Sequence, residues 1–536
     1  MKKTTTFFIL LIISVFSGFA QFFSSPETQR LGIVVYAIHN FYVDPVTEKK
    51  LVDNAIIGML EKLDPHSVFI PKEEVQKMNE PLEGSFDGIG VQFQMMEDTL
   101  LVVQAISGGP SERVGIMPGD RIVAVNDTTI AGVKMQSTDI MKRLRGTKGT
   151  VVMVKVLRRG VKELIEFKII RDKIPIFSLD ASYMVSPGIG YIKLNRFSAT
   201  TMDEYHAAFN KLKKKGMKSL ILDLQGNGGG YLNAAVELAD EFLEKSKMIV
   251  YTEGNAQSRQ TEMATSTGDF EKGNLVVLID EGSASASEIV AGAIQDWDRG
   301  VLVGRRTFGK GLVQKAFPLP DESQIRLTIA RYYTPAGRNI QRPYDSGVVQ
   351  YRKDLIERYN HGELQHADSI VFPDSLRFTT KISGRTVYGG GGIMPDIFIP
   401  IDTTLYTNYH RDLAAKGAIN KFALNYVENN RKELTKKYLP KKDGSFENFK
   451  ANFELTDDLL QKLIDAGIQE NVEYNEEQFS QSKDLIKVQL KSLIASDLWG
   501  MNEYYQIMNQ VSDSYLKAVE LLRDPKLYNK ILENRK

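Results

Sequence analysis

At 536 residues the chain is too long for a single hydrophobic core, and its length points to three or four domains. Apolar residues make up 42% and charged residues 25%, the balance of an ordinary folded protein, which excludes wholesale disorder. A formal charge of +1 argues against nucleic acid or an anionic membrane as the main partner. The absence of cysteine excludes disulfides, a thiolate nucleophile, thiolate zinc sites and a lipid-bearing N-terminal cysteine.

Lys2 and Lys3 precede an apolar run over 7–16, and Gly18-Phe19-Ala20 offers small residues for cleavage. This pattern predicts a signal peptide over 1–20, with retention as an anchor as the lesser alternative. The expected location is the periplasm or cell envelope. Residues 21–83 form a predicted N-terminal helical region. One apolar face carries Val52, Ile56, Met59 and Leu60, and a break falls at Leu63-Asp64-Pro65-His66-Ser67. His66 has no neighbouring histidine with which to pair on a metal, so a loop or capping role is expected.

Over 84–172 the pattern changes to short strands. Gly88-Ile89-Gly90-Val91 leads into one strand and "GIMPGDRI" into another, a helix is expected over 137–143, and strands over 151–156 and 163–170 close the segment. A glycine-flanked turn entering an open edge strand exposes successive N–H groups. Such a nest takes a chain-terminal carboxylate while the strand pairs with the rest of a peptide. The order of these motifs resembles a PDZ domain of the bacterial protease type, with Gly88, Ile89, Gly90 and Val91 as its peptide-binding residues. Read alone, the two glycines only shape a bend.

Strands and helices alternate over 173–400. A buried strand ending at Leu224 runs into Gln225-Gly226-Asn227-Gly228-Gly229-Gly230-Tyr231. As a dinucleotide fingerprint it fails at Tyr231, so an oxyanion cradle and a structural turn both stay open. The apolar run 275–280 is followed by Glu281-Gly282-Ser283-Ala284-Ser285-Ala286-Ser287-Glu288 and a helical pattern. Taken alone this is a serine-rich helix cap or the seat of a nucleophile. Then comes the strand 301–304 and Arg305-Arg306-Thr307-Phe308-Gly309-Lys310-Gly311. It fails as a P-loop, because Gly311 stands where a hydroxyl is needed and a strand follows where a helix is required. Flanking glycines and Phe308 suggest a poorly hydrated lysine, and such surroundings turn a lysine into a general base. No histidine lies near these turns in sequence, although folding could bring His206 close. Ser-Lys pairing is the other established solution. In that reading Lys310 takes the proton of Ser285, Gln314 orients the lysine amine, and the N–H groups of Ala286 and Gly230 are candidates for an oxyanion hole.

The runs "DLQGNGGGYL", "EGSASASEIVAGAIQD", "GRRTFGKGLVQ", "YYTPAGRNI" and "GGIMPDIFIP" resemble the carboxy-terminal processing peptidases, the tail-specific serine proteases of family S41. The likeness covers residues 28–400. It implies an α/β multidomain fold: a crotonase/ClpP-like αββ superhelix core, an inserted PDZ domain, and helical N- and C-terminal regions. It maps the nucleophile to Ser285, the lysine to Lys310, the glutamine to Gln314 and the oxyanion donors to Gly230 and Ala286. An arginine that couples the PDZ domain to the core in some relatives maps to Arg145. The implied activity is serine endopeptidase cleavage near the C-termini of exported proteins, with no metal or other cofactor and with proteins or peptides bearing free C-termini as partners. A homo-oligomer or an adaptor stays open. The alternative is a catalytically inactive PDZ-bearing binding or chaperone protein of the envelope. An acyl-CoA enzyme on the related fold is the third reading. An insertion at about 341–387 and a helical domain over 401–536 have no mapped role, the latter serving assembly, substrate channelling or plain packing.

Overall fold

The computed structural model describes residues 25–439 and 445–533, so the expected signal peptide lies outside the described residues. The chain divides into two compact units. Of the described residues, one holds 25–75 with Gln314–Ile329 and Tyr344–Lys353; the other holds Gln76–Val313, Ala330–Pro343, 354–439 and 445–533.

In the smaller unit, helices Pro26–Phe41 and Glu48–Leu60 start at Ser25 and Thr47, whose hydroxyls accept from the N–H of Thr28 and Lys50. The expected break at 63–67 leads into a strand, Val68–Ile70, antiparallel to residues 324–326, where the sequence suggested a continuing helix. Asp64 makes the break: its carboxylate accepts from the N–H groups of His66 and Ser67 and from the Ser67 hydroxyl. The run Val-Phe-Ile that follows suits an extended chain. His66 sits on this turn with Nε2 2.8 Å from the Tyr351 hydroxyl.

The larger unit begins with a β-rich domain. Strands Val91–Met96, Thr99–Ala105, Arg121–Val125, Val151–Leu157 and Ile165–Ile170 stand side by side in that order, all antiparallel. Val152, Val154 and Val156 alternate inward at period two and meet Ile140 and Leu144 of helix Ser137–Leu144. Val91–Met96 is one edge strand and Ile165–Ile170 the other.

The central sheet carries the strands Leu179–Ser186, Ile189–Leu194, Ser219–Asp223, Asn274–Ile279, Val301–Gly304 and Ile397–Phe398 in spatial order. The first pair is antiparallel and the rest are parallel. Its inner strands are apolar on both faces, as a sheet covered on both sides requires. Helices Thr201–Lys214, Leu232–Asp240 and Ala286–Asp296 cover one face.

Helices Asp513–Arg523 and Pro525–Leu532 cover the other. Ala518, Leu521, Leu522 and Tyr528 pack on Val276, Leu278, Val301 and Val303, and the Tyr528 hydroxyl bonds both the N–H and the carbonyl of Leu275. The C-terminal tail therefore has two parts. Its last two helices belong to the central domain, whereas residues 409–507 build a separate helical core around Leu413, Val427, Leu463 and Leu490. Leu424 of helix Ala418–Tyr438 packs on Met96, Leu101 and Val103 of the β-rich domain. Thr456 caps helix Asp457–Gln469, and Gly467 lies inside that helix. A Cβ at Gly467 would lie 2.6 Å from the Leu413 side chain, so this glycine serves packing, and Asn471 at φ 60° takes the left-handed turn.

Candidate active site

Three adjacent parallel strands of the central sheet end in the three unusual turns of the sequence. Ser219–Asp223 leads to the glycine turn, Asn274–Ile279 to the serine turn and Val301–Gly304 to the lysine turn. Parallel pairing aligns the carboxyl ends of neighbouring strands, so loops far apart in sequence converge along one edge.

Side-chain amides and carboxylates fix the glycine turn to the serine turn. Asn227 Oδ1 accepts from the Gly229 N–H at 2.9 Å and its Nδ2 donates to the Leu194 carbonyl at 3.0 Å. The Asn227 carbonyl accepts from the Ala284 N–H at 3.0 Å and from the Ser287 hydroxyl at 2.8 Å. Asp280 Oδ1 accepts from the N–H groups of Gly226 and Gly282, and burial raises its carboxyl above the usual range. A Cβ at Gly229 would lie 2.8 Å from the Ser285 Cβ, so only glycine permits this approach.

The three serines of the turn are not equivalent. Ser283 and Ser287 are fully buried and donate to the carbonyls of Leu224 and Asn227. Ser285 alone among them retains solvent access. Its backbone is at φ 55°, ψ −111°, a region that costs a non-glycine residue of order 1–3 kcal/mol and persists only when its surroundings enforce it. Helix Ala286–Asp296 starts immediately after it. Among the described residues, no protein acceptor takes up the N–H of Ala286 or of Gly230. Gly230 is at φ +149°, and a Cβ there would lie 1.9 Å from the Phe197 carbonyl oxygen.

Glu288 joins the serine turn to the lysine turn. One carboxylate oxygen accepts from the N–H groups of Ser285 (2.8 Å) and Lys310 (2.9 Å), and the other from the Thr307 hydroxyl (2.5 Å) and the Gly309 N–H (2.7 Å). The Tyr332 hydroxyl lies 2.7 Å from the Lys310 carbonyl and 3.1 Å from the Ser285 carbonyl. The backbones of Ser285 and Lys310 thus share a partner on their N–H side and another on their carbonyl side. Burial pushes the Glu288 carboxyl up to about 7, against the opposing effect of its four donors. Neither Glu288 nor Tyr332 was singled out from sequence. The Ser285-x-x-Glu288 spacing is that of a helix capping box, which would have flagged the carboxylate; nothing comparable marks Tyr332.

Gln314 lies on strand Leu312–Pro318 in the smaller unit, where its side-chain amide donates to the His66 carbonyl. His206 is on helix Thr201–Lys214, with Nε2 3.6 Å from a Glu241 carboxylate oxygen. In the β-rich domain, Gly88 ends a strand paired with Asp172, and Gly90 at φ +74° turns the chain into Val91 and the edge strand. The Ile89 carbonyl is occupied by the N–H and hydroxyl of Ser111. Arg145 donates to Glu80 at 2.6 Å and stacks 4.4 Å over Phe86, which ties this domain to the helix entering it.

Comparison with known proteins gives matches over most of the central part of the chain. The sequence pattern of peptidase family S41 matches residues 188–349, that of the PDZ domain 88–169, and that of a family of unknown function, DUF8443, 409–500. The chain is similar to the carboxy-terminal-processing protease of Bartonella bacilliformis, 36% identical over 338 residues, which covers 62% of this chain and 77% of that one. It is 35% identical over 357 residues to the carboxy-terminal processing protease CtpA of Bacillus subtilis, covering 64% and 76%. CtpB of the same organism is 33% identical over 351 residues, covering 62% and 72%. Among solved structures, the photosystem II D1 C-terminal processing protease is 29% identical, covers 59% of this chain and 91% of its own, and superposes with a TM-score of 0.34.

Proposed function

The chain belongs to peptidase family S41 as a carboxy-terminal processing serine protease with a PDZ domain, and from that premise we propose that Ser285 and Lys310 are its catalytic dyad. The observation that carries this is the pair of shared partners: one Glu288 oxygen takes the N–H of both residues, and the Tyr332 hydroxyl lies between both carbonyls. Two residues so held can present their side chains to each other.

In the reaction, uncharged Lys310 removes the proton from the Ser285 hydroxyl as it attacks a peptide carbonyl. The N–H groups of Ala286 and Gly230 receive the oxyanion. The lysine then protonates the leaving amine, and water releases the acyl-enzyme. The strained backbone of Ser285 and the glycine approach at 229 support the nucleophile role, because both place a hydroxyl at an exposed strand-to-helix turn.

The place of strand Val91–Met96 at an edge of its sheet supports capture of a substrate tail by strand addition, with its free carboxylate at Gly88-Ile89-Gly90-Val91. Binding there raises the effective concentration of the tail at the core. Arg145, paired with Glu80, couples this domain to the rest of the enzyme. Lys2 and Lys3 ahead of the apolar run over 7–16 support an export leader, and with it work on exported proteins in the cell envelope. Among the described residues, no helix is long and apolar enough to cross a membrane.

The test is turnover of a protein substrate by Ser285→Ala and Lys310→Ala enzymes, each alongside substrate with an amidated C-terminus. Both variants should lose at least about 10³-fold in kcat, and the amidated substrate should raise KM. A Lys310→Ala enzyme with undiminished turnover removes the dyad.

A further inference from the structure

The insertion at 341–387 has no part in the mechanism above, yet its side chains converge on the lysine turn. Arg358, on helix Val348–Asn360, is 4% exposed and donates to the carbonyl oxygens of Arg306 at 2.8 Å and Thr307 at 3.2 Å. A Glu363 oxygen accepts from Arg358 Nε at 3.0 Å and from the Arg306 guanidinium at 2.5 Å. Arg342 stacks its guanidinium 3.9 Å from the centre of the Phe308 ring, donates its backbone N–H to the Gly309 carbonyl at 3.0 Å, and is ion-paired with Asp354. Each residue from Arg306 to Gly309 is therefore held by a residue of the insertion.

We infer that the insertion is a positioning element for Lys310, and that Arg358 is its principal side chain. A buried guanidinium has donors in a fixed plane that must keep their acceptors, since an unmet charged donor is costly in the interior. The carbonyls of 306 and 307 cannot tilt without breaking those bonds. Glu288 and Tyr332 fix the same turn through other atoms. A lysine stem is flexible, so its amine is placed repeatably only when the backbone that carries it does not move. The inference rests on the reading of Lys310 as general base.

The experiment compares Arg358→Gln, Arg358→Lys, Glu363→Gln and Lys310→Ala with the wild-type full chain. It reads kcat per site titrated with a serine-directed phosphonate, KM on one peptide, and the thermal midpoint. Arg358→Gln should lower kcat by about 10- to 100-fold with KM within about twofold, the loss that misplacement of a catalytic group by about 1 Å produces. Arg358→Lys, which keeps the charge but not the fork, should recover part of it. Should Arg358→Gln fail to fold, Glu363→Gln keeps the buried arginine in place and should still lower kcat by about 3- to 10-fold. Wild-type kcat per titrated site in the folded variants, with only the thermal midpoint lowered, overturns the inference. Turnover by Lys310→Ala would instead strike the dyad itself, and the inference with it, whatever the Arg358 variants do.

Discussion

Ser285 donates its backbone N–H to the Glu288 carboxylate at 2.8 Å, and the oxygen that receives it also receives the N–H of Lys310. A helix-capping contact within one turn has thus been extended to a second turn, whose Lys310 lies 22 residues after Glu288. The backbone conformation at Ser285, unfavourable by itself, is held by this bond, by the start of helix Ala286–Asp296 and by the approach of Gly229.

Glu288→Gln should therefore damage catalysis far more than its isosteric shape suggests. Each oxygen of the carboxylate faces two donors, so an amide NH₂ in either position opposes two of them. Donors left unmet in the interior cost about 1–3 kcal/mol each. The expected result is at least a 10²-fold fall in kcat with a lowered denaturant midpoint, read by steady-state kinetics and urea unfolding.

The raised pKa of Glu288 predicts a pH dependence of stability. Its carboxyl titrates near 7 in the folded chain against 4.5 for the unperturbed group. Between those values the folded state binds more protons than the unfolded one, so this group's contribution is full below about 4.5 and is lost as pH rises through about 7. Urea midpoints across pH 4–8 should show a declining component in the wild type that is absent from Glu288→Gln. Parallel curves for the two proteins would exclude this assignment.

Tyr332→Phe tests the bridge on the carbonyl side. It removes the hydroxyl near the carbonyls of Ser285 and Lys310 and leaves the buried ring in place. The loss of a single hydrogen bond of about 1 kcal/mol should lower the melting point by only a few degrees. Turnover should fall about tenfold, because both catalytic backbones are released together.

The glycine turn gives a paired test. Gly229→Ala puts a Cβ 2.8 Å from the Ser285 Cβ at a φ of +96° and should abolish activity. Gly228→Ala meets nothing within 4 Å and should keep most of it. Assays of the two variants under one set of conditions decide the point; equal losses would show that flexibility of the turn, and not its approach to the serine, is what matters.

Truncation before Asp513 should destabilise the central domain, because it exposes Val276, Leu278, Val301 and Val303 on the sheet face. Fully burying one such side chain is worth about 1.5–3 kcal/mol, and four exceed what a marginally stable domain tolerates. The truncated chain should be insoluble or unfolded by circular dichroism, whereas Tyr528→Phe should fold with a loss of about 1 kcal/mol.

The sequence by itself determined the local grammar of this protein. Apolar runs marked the strand at 151–156 and those before the glycine, serine and lysine turns, and small residues in quick succession marked the turns themselves. Each of these signals is carried by residues within one or two turns of chain, where side-chain spacing and backbone freedom act directly. Tertiary structure alone decided which turns stand side by side, that Glu288 and Tyr332 bind both of them, and that Gly467 answers to Leu413 rather than to the end of its helix. It also decided that the last two helices complete the central sheet while Arg358 reaches the lysine turn. Those outcomes depend on strand order and on contacts between residues tens to hundreds of positions apart, and no local spacing encodes which buried carboxylate, phenol or guanidinium will meet which backbone group.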